Sequence, residues 1–199
     1  MKIGVDRTTG LFDASLRSWT SEQVRASLLL LTPEECERIT TVWLFENSMT
    51  YLPLEIFTIL FNLKILTIHC NGIAELPNEM TRLSKLESLM LSGMPIFQVP
   101  ASYERLTNLT MLGLDGTRLP PSLRQVLNLG DKKETQKLLK RAVDHNRLLY
   151  GPVRNAIVVL LGLRQCRDVG LFRGIDKNVV VLIAKSMWAQ KNTWVRRFY

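Results

Sequence analysis

The apolar positions of this chain fall into a repeated order rather than into isolated helical or strand runs. Ile39, Leu63, Leu86 and Leu109 stand at intervals of 24, 23 and 23 residues, and each opens the same alternation of apolar and polar residues. In the second copy the order is Leu63-xx-Leu66-x-Ile68-xx-Asn71-x-Ile73-xx-Leu76-Pro77. The first copy runs Ile39, Val42, Leu44, Asn47, Met49 and Leu52-Pro53. The third runs Leu86, Leu89, Leu91, then Met94 in the Asn position, Ile96 and Val99-Pro100. The fourth runs Leu109, Leu112, Leu114, Thr117 and Leu119 before Pro120-Pro121 breaks it. The alternating core of each copy predicts a short strand whose apolar residues share one side of the pleat. An Asn at the following bend can pair backbone groups that a coil leaves open. Ile56, Leu60, Met80, Leu83, Tyr103 and Leu106 close the opposite side, where the first copy has one extra residue. Such coils stack and bury one continuous core.

The pattern resembles the 23-residue, LP-containing leucine-rich repeats of Ras-binding and plant intracellular proteins, over about residues 39–123. The resemblance implies an α/β leucine-rich-repeat solenoid of about four repeats and a non-catalytic role in binding protein, as a scaffold or adaptor. It names no partner. Met94 and Thr117 depart from it: Met supplies none of the Asn hydrogen bonds and Thr only part of them.

An open stack needs covered ends. Thr20-Ser21-Glu22-Gln23 and Thr32-Pro33-Glu34-Glu35 both have capping-box form, which predicts two short helices in an N-terminal cap over 1–38. The repeats occupy 39–130. After them, Asp131-Lys132-Lys133-Glu134 predicts a helix to about Leu149, with an apolar stripe of Leu138, Leu139, Ala142, Val143 and Leu149. Further helices are expected from Gly151-Pro152 through Ile157, Leu160 and Leu161, and from Asp176 through Val179, Ile183 and Trp188, making 131–199 a basic helical subdomain. From about Leu148 onward, the stretch LLGLRQCRDVGLFRGIDKNVVVLIAKSMWAQ resembles a helical segment in proteins of Marseillevirus-type large DNA viruses. That resemblance implies a viral protein made in an infected cell and brings no catalytic motif.

The formal net charge of +8 is unevenly spread: 1–130 hold eleven Lys/Arg against thirteen Asp/Glu, and 131–199 hold fifteen against five. Only the C-terminal part therefore offers a cationic surface. Lys133, Lys137, Lys140 and Arg141 line one helix face as candidate anion-binding residues, for which weak, non-specific, salt-dependent contact with nucleic acid is the expectation. A solvated helix face is the plainer reading. Two other roles stay open: C-terminal helices that dock a second protein such as a ubiquitin-ligase component, and a basic nucleic-acid- or virion-associated protein. The apolar runs at 157–163 and 179–184 fall short of the roughly 20 residues a bilayer span needs, and Met1 to Arg7 shows no secretory signal. Cys36, Cys70 and Cys166 are odd in number and far apart, which suits an intracellular, cytoplasmic setting better than a disulfide framework or a paired zinc site.

Residues between the strand leucines face the concave side: Thr41, Trp43 and Phe45; Ile65, Thr67 and His69; Ser88, Met90 and Ser92; Met111, Gly113 and Asp115. Trp43, Phe45, Ile65, His69, Met90 and Met111 are the candidate partner-binding residues, because aromatic and Met side chains grouped on a surface have the composition of an interface anchor. The competing reading folds the N-terminal helices over Trp43 and Phe45. His69 and Cys70, with Asp115 at hand, are expected to be structural, Cys70 turning inward. Cys166-Arg167-Asp168 resembles the Cys-x-Asp of bacterial leucine-rich-repeat ubiquitin ligases, but the residues after 130 are too few for their catalytic domain. Phosphate-cradling Gly-rich loops, H-E-x-x-H and G-x-S-x-G are missing from the sequence, so no enzyme, cofactor or metal is expected.

Overall fold

The computed structural model describes residues 5–145 apart from Arg7, Gln125 and 128–130. Residues up to Asp144 form one compact unit and His145 to Tyr199 a second. Residues 131–144, expected with the C-terminal subdomain, fall within the first unit. The helices expected from Gly151 and Asp176, the far end of the Asp131 helix at Leu149, and Cys166 lie outside the described residues.

Every repeat yields the short strand its alternation predicts. β3 (Thr41–Trp43), β4 (Ile65–Thr67), β5 (Ser88–Met90) and β6 (Met111–Gly113) pair in parallel, with Val42, Leu66, Leu89 and Leu112 in register. Two further strands flank them at the start: β1 (Val5–Asp6) runs antiparallel to β2 (Leu11–Asp13), and β2 runs parallel to β3. At the other end β7 (Val126–Leu127) returns antiparallel to β6. The described sheet thus reads β1 to β7 in chain order, with an antiparallel strand closing each edge. Closing strands blunt an edge that would otherwise template further pairing.

Residues 11–38 accordingly form a coil of the stack and not merely a lid on it. Phe12 and Ala14 point inward as Val42 and Leu44 do, all four fully buried. α1 (Ser21–Leu28) and α2 (Pro33–Arg38) fill the return of this coil. Both carry the capping box read from the sequence, and Pro33 opens α2. In the next return, α3 (Glu55–Ile59) is α-helical, whereas Asn78–Arg82 and Ala101–Arg105 are 3-10 turns. The extra residue of the first repeat is spent here, since an α-helix rises less per residue than a 3-10 turn and needs more residues to span one gap.

The bends are held by the Asn column. Asn71 Nδ2 donates to Ile68 O in its own coil (2.9 Å) and to Leu44 O in the coil before (2.9 Å), while its Oδ1 accepts the Met49 N–H (3.1 Å). Asn47 does the same one coil earlier, donating to Leu44 O and Ala14 O and accepting from the Arg17 and Trp19 N–H groups. Thr117 keeps one of these bonds, its hydroxyl donating to Leu114 O at 2.7 Å. Met94 keeps none and is fully buried as an apolar side chain. The residue preceding this column turns left-handed in every repeat: Glu46 (φ 53°), Cys70 (φ 55°), Gly93 (φ 66°) and Gly116 (φ 63°). That conformation swings Cys70 outward, so it is exposed rather than turned into the core.

Residues 132–145 are helical (α4), with Asp131 Oδ1 accepting the Lys133 N–H (2.8 Å) and Glu134 N–H (3.3 Å) at the start. Leu138, Leu139, Ala142 and Val143 join the core of the stack. The Thr135 hydroxyl donates to Thr110 O, and Gln136 donates to Leu106 O. α4 covers the last coil, and it does so with the stripe expected.

Candidate partner-binding face

Strand register arranges the sheet face opposite the core in three rows. The first holds Leu11, Thr41, Ile65, Ser88 and Met111, and the second holds Asp13, Trp43, Thr67, Met90 and Gly113. Backbone bonds from the Leu16, Glu46, Cys70 and Gly93 N–H groups to Phe45, His69, Ser92 and Asp115 O align a third row: Ser15, Phe45, His69, Ser92 and Asp115. All six candidate partner-binding residues lie on this one face.

Its apolar side chains cluster around β3 and β4. Trp43 and Ile65 are each 37% exposed, while Phe45, His69, Met90 and Met111 are half-buried. The helices α1 and α2 do not cover Trp43 and Phe45, because Val24, Leu28 and Cys36 commit them to the core on the other side of the sheet. The aromatic rings support one another. Phe45 and His69 stack at 4.8 Å with only 4° between planes, and Trp43 tilts against Phe45 at 6.3 Å. Stacked side chains lose less freedom when a ligand arrives than solitary ones would.

The other end is shaped by a missing side chain. A Cβ on Gly113 would lie 2.7 Å from Met90 Cε and 2.9 Å from Ser92 Oγ, so the Met90 thioether occupies the space that a larger residue would claim. His69 Nδ1 and Ser92 Oγ, neighbours in the third row, are both buried with no hydrogen-bond partner.

His69 and Asp115 share a row but Ser92 stands between them, and no cluster of three potential ligands for a metal occurs among the described residues. Lys133, Lys137, Lys140 and Arg141 are all exposed on α4, away from its buried stripe. Two of the four are engaged: Lys137 Nζ lies 3.4 Å from Glu134, and Arg141 Nη2 donates to Ser122 O at 3.1 Å. Among the described residues no helix is long and apolar enough to cross a membrane.

Sequence reasoning missed Leu11, Asp13 and Ser15. A weak signal was present in the alternation of Leu11-Phe12-Asp13-Ala14, but this coil is longer than the others and carries Arg17 where the first two repeats carry Asn.

A one-sided parallel sheet, short helical returns and an Asn-held bend define an α/β solenoid of leucine-rich-repeat type. No family model matches the chain, and no curated protein matches it. Solved structures of leucine-rich-repeat proteins do. A leucine-rich-repeat protein of Leptospira interrogans is 31% identical over 56% of this chain and 27% of its own, with a TM-score of 0.43. An internalin of Listeria monocytogenes is 24% identical over 44% of this chain and 25% of its own (TM-score 0.39). The Arabidopsis receptor kinase HAESA, solved with a peptide hormone and a co-receptor, is 22% identical over 60% of this chain and 24% of its own (TM-score 0.44). The chain thus spans about a quarter of the length of each of these three proteins.

Proposed function

We propose that the protein is a non-catalytic binding module whose open sheet face docks a partner protein, with Trp43, Phe45 and Ile65 as anchors and His69, Met90 and Met111 beside them. One observation carries this reading: Trp43 and Ile65 stay 37% exposed on adjacent strands, on the sheet face opposite the core and beside the stacked rings of Phe45 and His69. Grouped aromatic and aliphatic side chains on a surface mark interfaces because each gains most when desolvated by a partner.

The test separates binding from folding. Trp43→Ala and Phe45→Ala should each weaken capture of the partner by about 2 kcal/mol, as interface anchors do, with little change in melting temperature. Leu44→Ala is the control: its side chain is fully buried, and the truncation should cost about 2–5 kcal/mol of folding stability. A partner retained by both surface variants would end this reading.

A further inference from the structure

The three rows of the open face hold two carboxylates, Asp13 and Asp115, and no lysine or arginine. Asp13 is the register neighbour of Trp43 on the adjacent strand. Its Oδ1 accepts the Ser15 N–H (2.9 Å) and the Ser15 hydroxyl (2.6 Å), and it joins none of the ion pairs among the described residues. Two cations that flank the rows in sequence are engaged elsewhere. The Arg17 guanidinium lies over the Trp19 ring at 5.5 Å, and Lys64 Nζ lies 3.2 Å from Glu87. Glu46, left-handed and exposed beside Phe45, adds a third negative charge at the margin.

We propose that this face recognises a partner segment bearing arginine or lysine, whose cation rests on the Trp43 ring and pairs with the Asp13 carboxylate while flanking apolar residues cover Ile65 and Phe45. The inference rests on the docking role above and specifies its partner's chemistry. Neighbouring strands lie about 4.8 Å apart, so a guanidinium over the ring is within reach of the carboxylate beside it. An aromatic face attracts a cation through its quadrupole, and the attraction strengthens as both lose water. An acidic segment would meet only like charge here.

The test uses the full chain and two synthetic peptides in calorimetric titration at about 0.15 M salt, where long-range repulsion from the basic C-terminal residues is screened beyond roughly 8 Å. One is acetyl-Leu-Arg-Leu-Arg-Leu-amide; the other carries citrulline, which keeps the shape of arginine without its charge. The arginine peptide should bind at least about fivefold more tightly. Asp13→Asn and Trp43→Leu should each cut that preference by about threefold, the range of an exposed cation–π contact, with melting unchanged. Asn at 13 can still accept the Ser15 N–H, so the fold is kept. Equal binding of the two peptides overturns the inference while leaving apolar docking intact; loss of docking itself shows instead as partner capture insensitive to Trp43→Ala and Phe45→Ala. A preference that survives both variants, or no binding of either peptide, also overturns it. So does self-association in sedimentation that Asp13→Asn abolishes, which would assign the face to a second copy of the chain.

Discussion

At the scale of single residues, the bends of the stack are where a small change should cost most. Asn71 makes three buried bonds to two coils, so Asn71→Ala strands the Ile68 carbonyl and the Met49 N–H, while Leu44 O keeps its bond from Asn47. At about 1–3 kcal/mol for each of the two buried groups left unpaired, a loss of roughly 2 kcal/mol or more is expected in denaturant unfolding. Thr117→Val removes a single bond and should cost about 1 kcal/mol. A Thr117→Val loss as large as that of Asn71→Ala would show that the column is not what holds the coils together. The left-handed residues beside it are a related case. Gly93 has φ 66° and only 3.1 Å between an added Cβ and Cys70 Sγ, so Gly93→Ala should destabilise by about 1–2 kcal/mol. Sequence reasoning missed this left-handed column: Gly93 and Gly116, 23 residues apart, are its only signal in sequence, and Glu46 and Cys70 hide it, since neither residue type advertises a positive φ.

At the scale of elements, local rules were reliable wherever the structure is local. The boxes at Thr20 and Thr32 form as read, because capping is settled within four residues of backbone. What the boxes could not show is where α1 would pack. Its Arg25 Nε lies 2.8 Å from Glu55 Oε1, joining α1 to α3, and the Tyr51 hydroxyl donates to Glu22. The Arg25 guanidinium beside Glu55 holds the Glu55 carboxyl below its ordinary value. A depressed carboxyl stabilises the fold above the unfolded-state value of about 4.3. That contribution is lost as pH falls through the folded-state value. Melting temperature should therefore fall between about pH 5 and 3 more in the native protein than in Glu55→Gln. Equal slopes in the two proteins would mean that the pair adds nothing to folding.

For the molecule as a whole, α4 determines where the first compact unit ends. Its stripe of Leu138, Leu139, Ala142 and Val143 is at most 2% exposed within the common core. Burial of each larger side chain contributes about 1.5–3 kcal/mol, a large share of the 5–15 kcal/mol typical of a folded domain. A chain ended at residue 130 should therefore lose cooperative thermal unfolding or become insoluble, whereas one ended at 145 should keep it. Equal behaviour of the two truncated chains would remove α4 from the list of elements that complete the stack.

The sequence alone settled the repeat, the inward and outward sense of the strand residues in its four copies, and hence the part of the open face that those copies supply. Strand side chains alternate with period two, and a coil whose leucines point outward cannot share a core with its neighbours. Tertiary structure decided what depends on partners distant in the chain. β2 joins the sheet through pairing with β3, 30 residues further on, and this brings Asp13 beside Trp43. Trp43 stays open because Val24, Leu28 and Cys36 direct α1 and α2 into the core behind the sheet. Residues 131–144 complete the stack rather than begin another body, because their apolar stripe matches the uncovered last coil. A stripe read from sequence shows that a helix must bury one side; which surface receives it is fixed only when the competing surfaces are assembled.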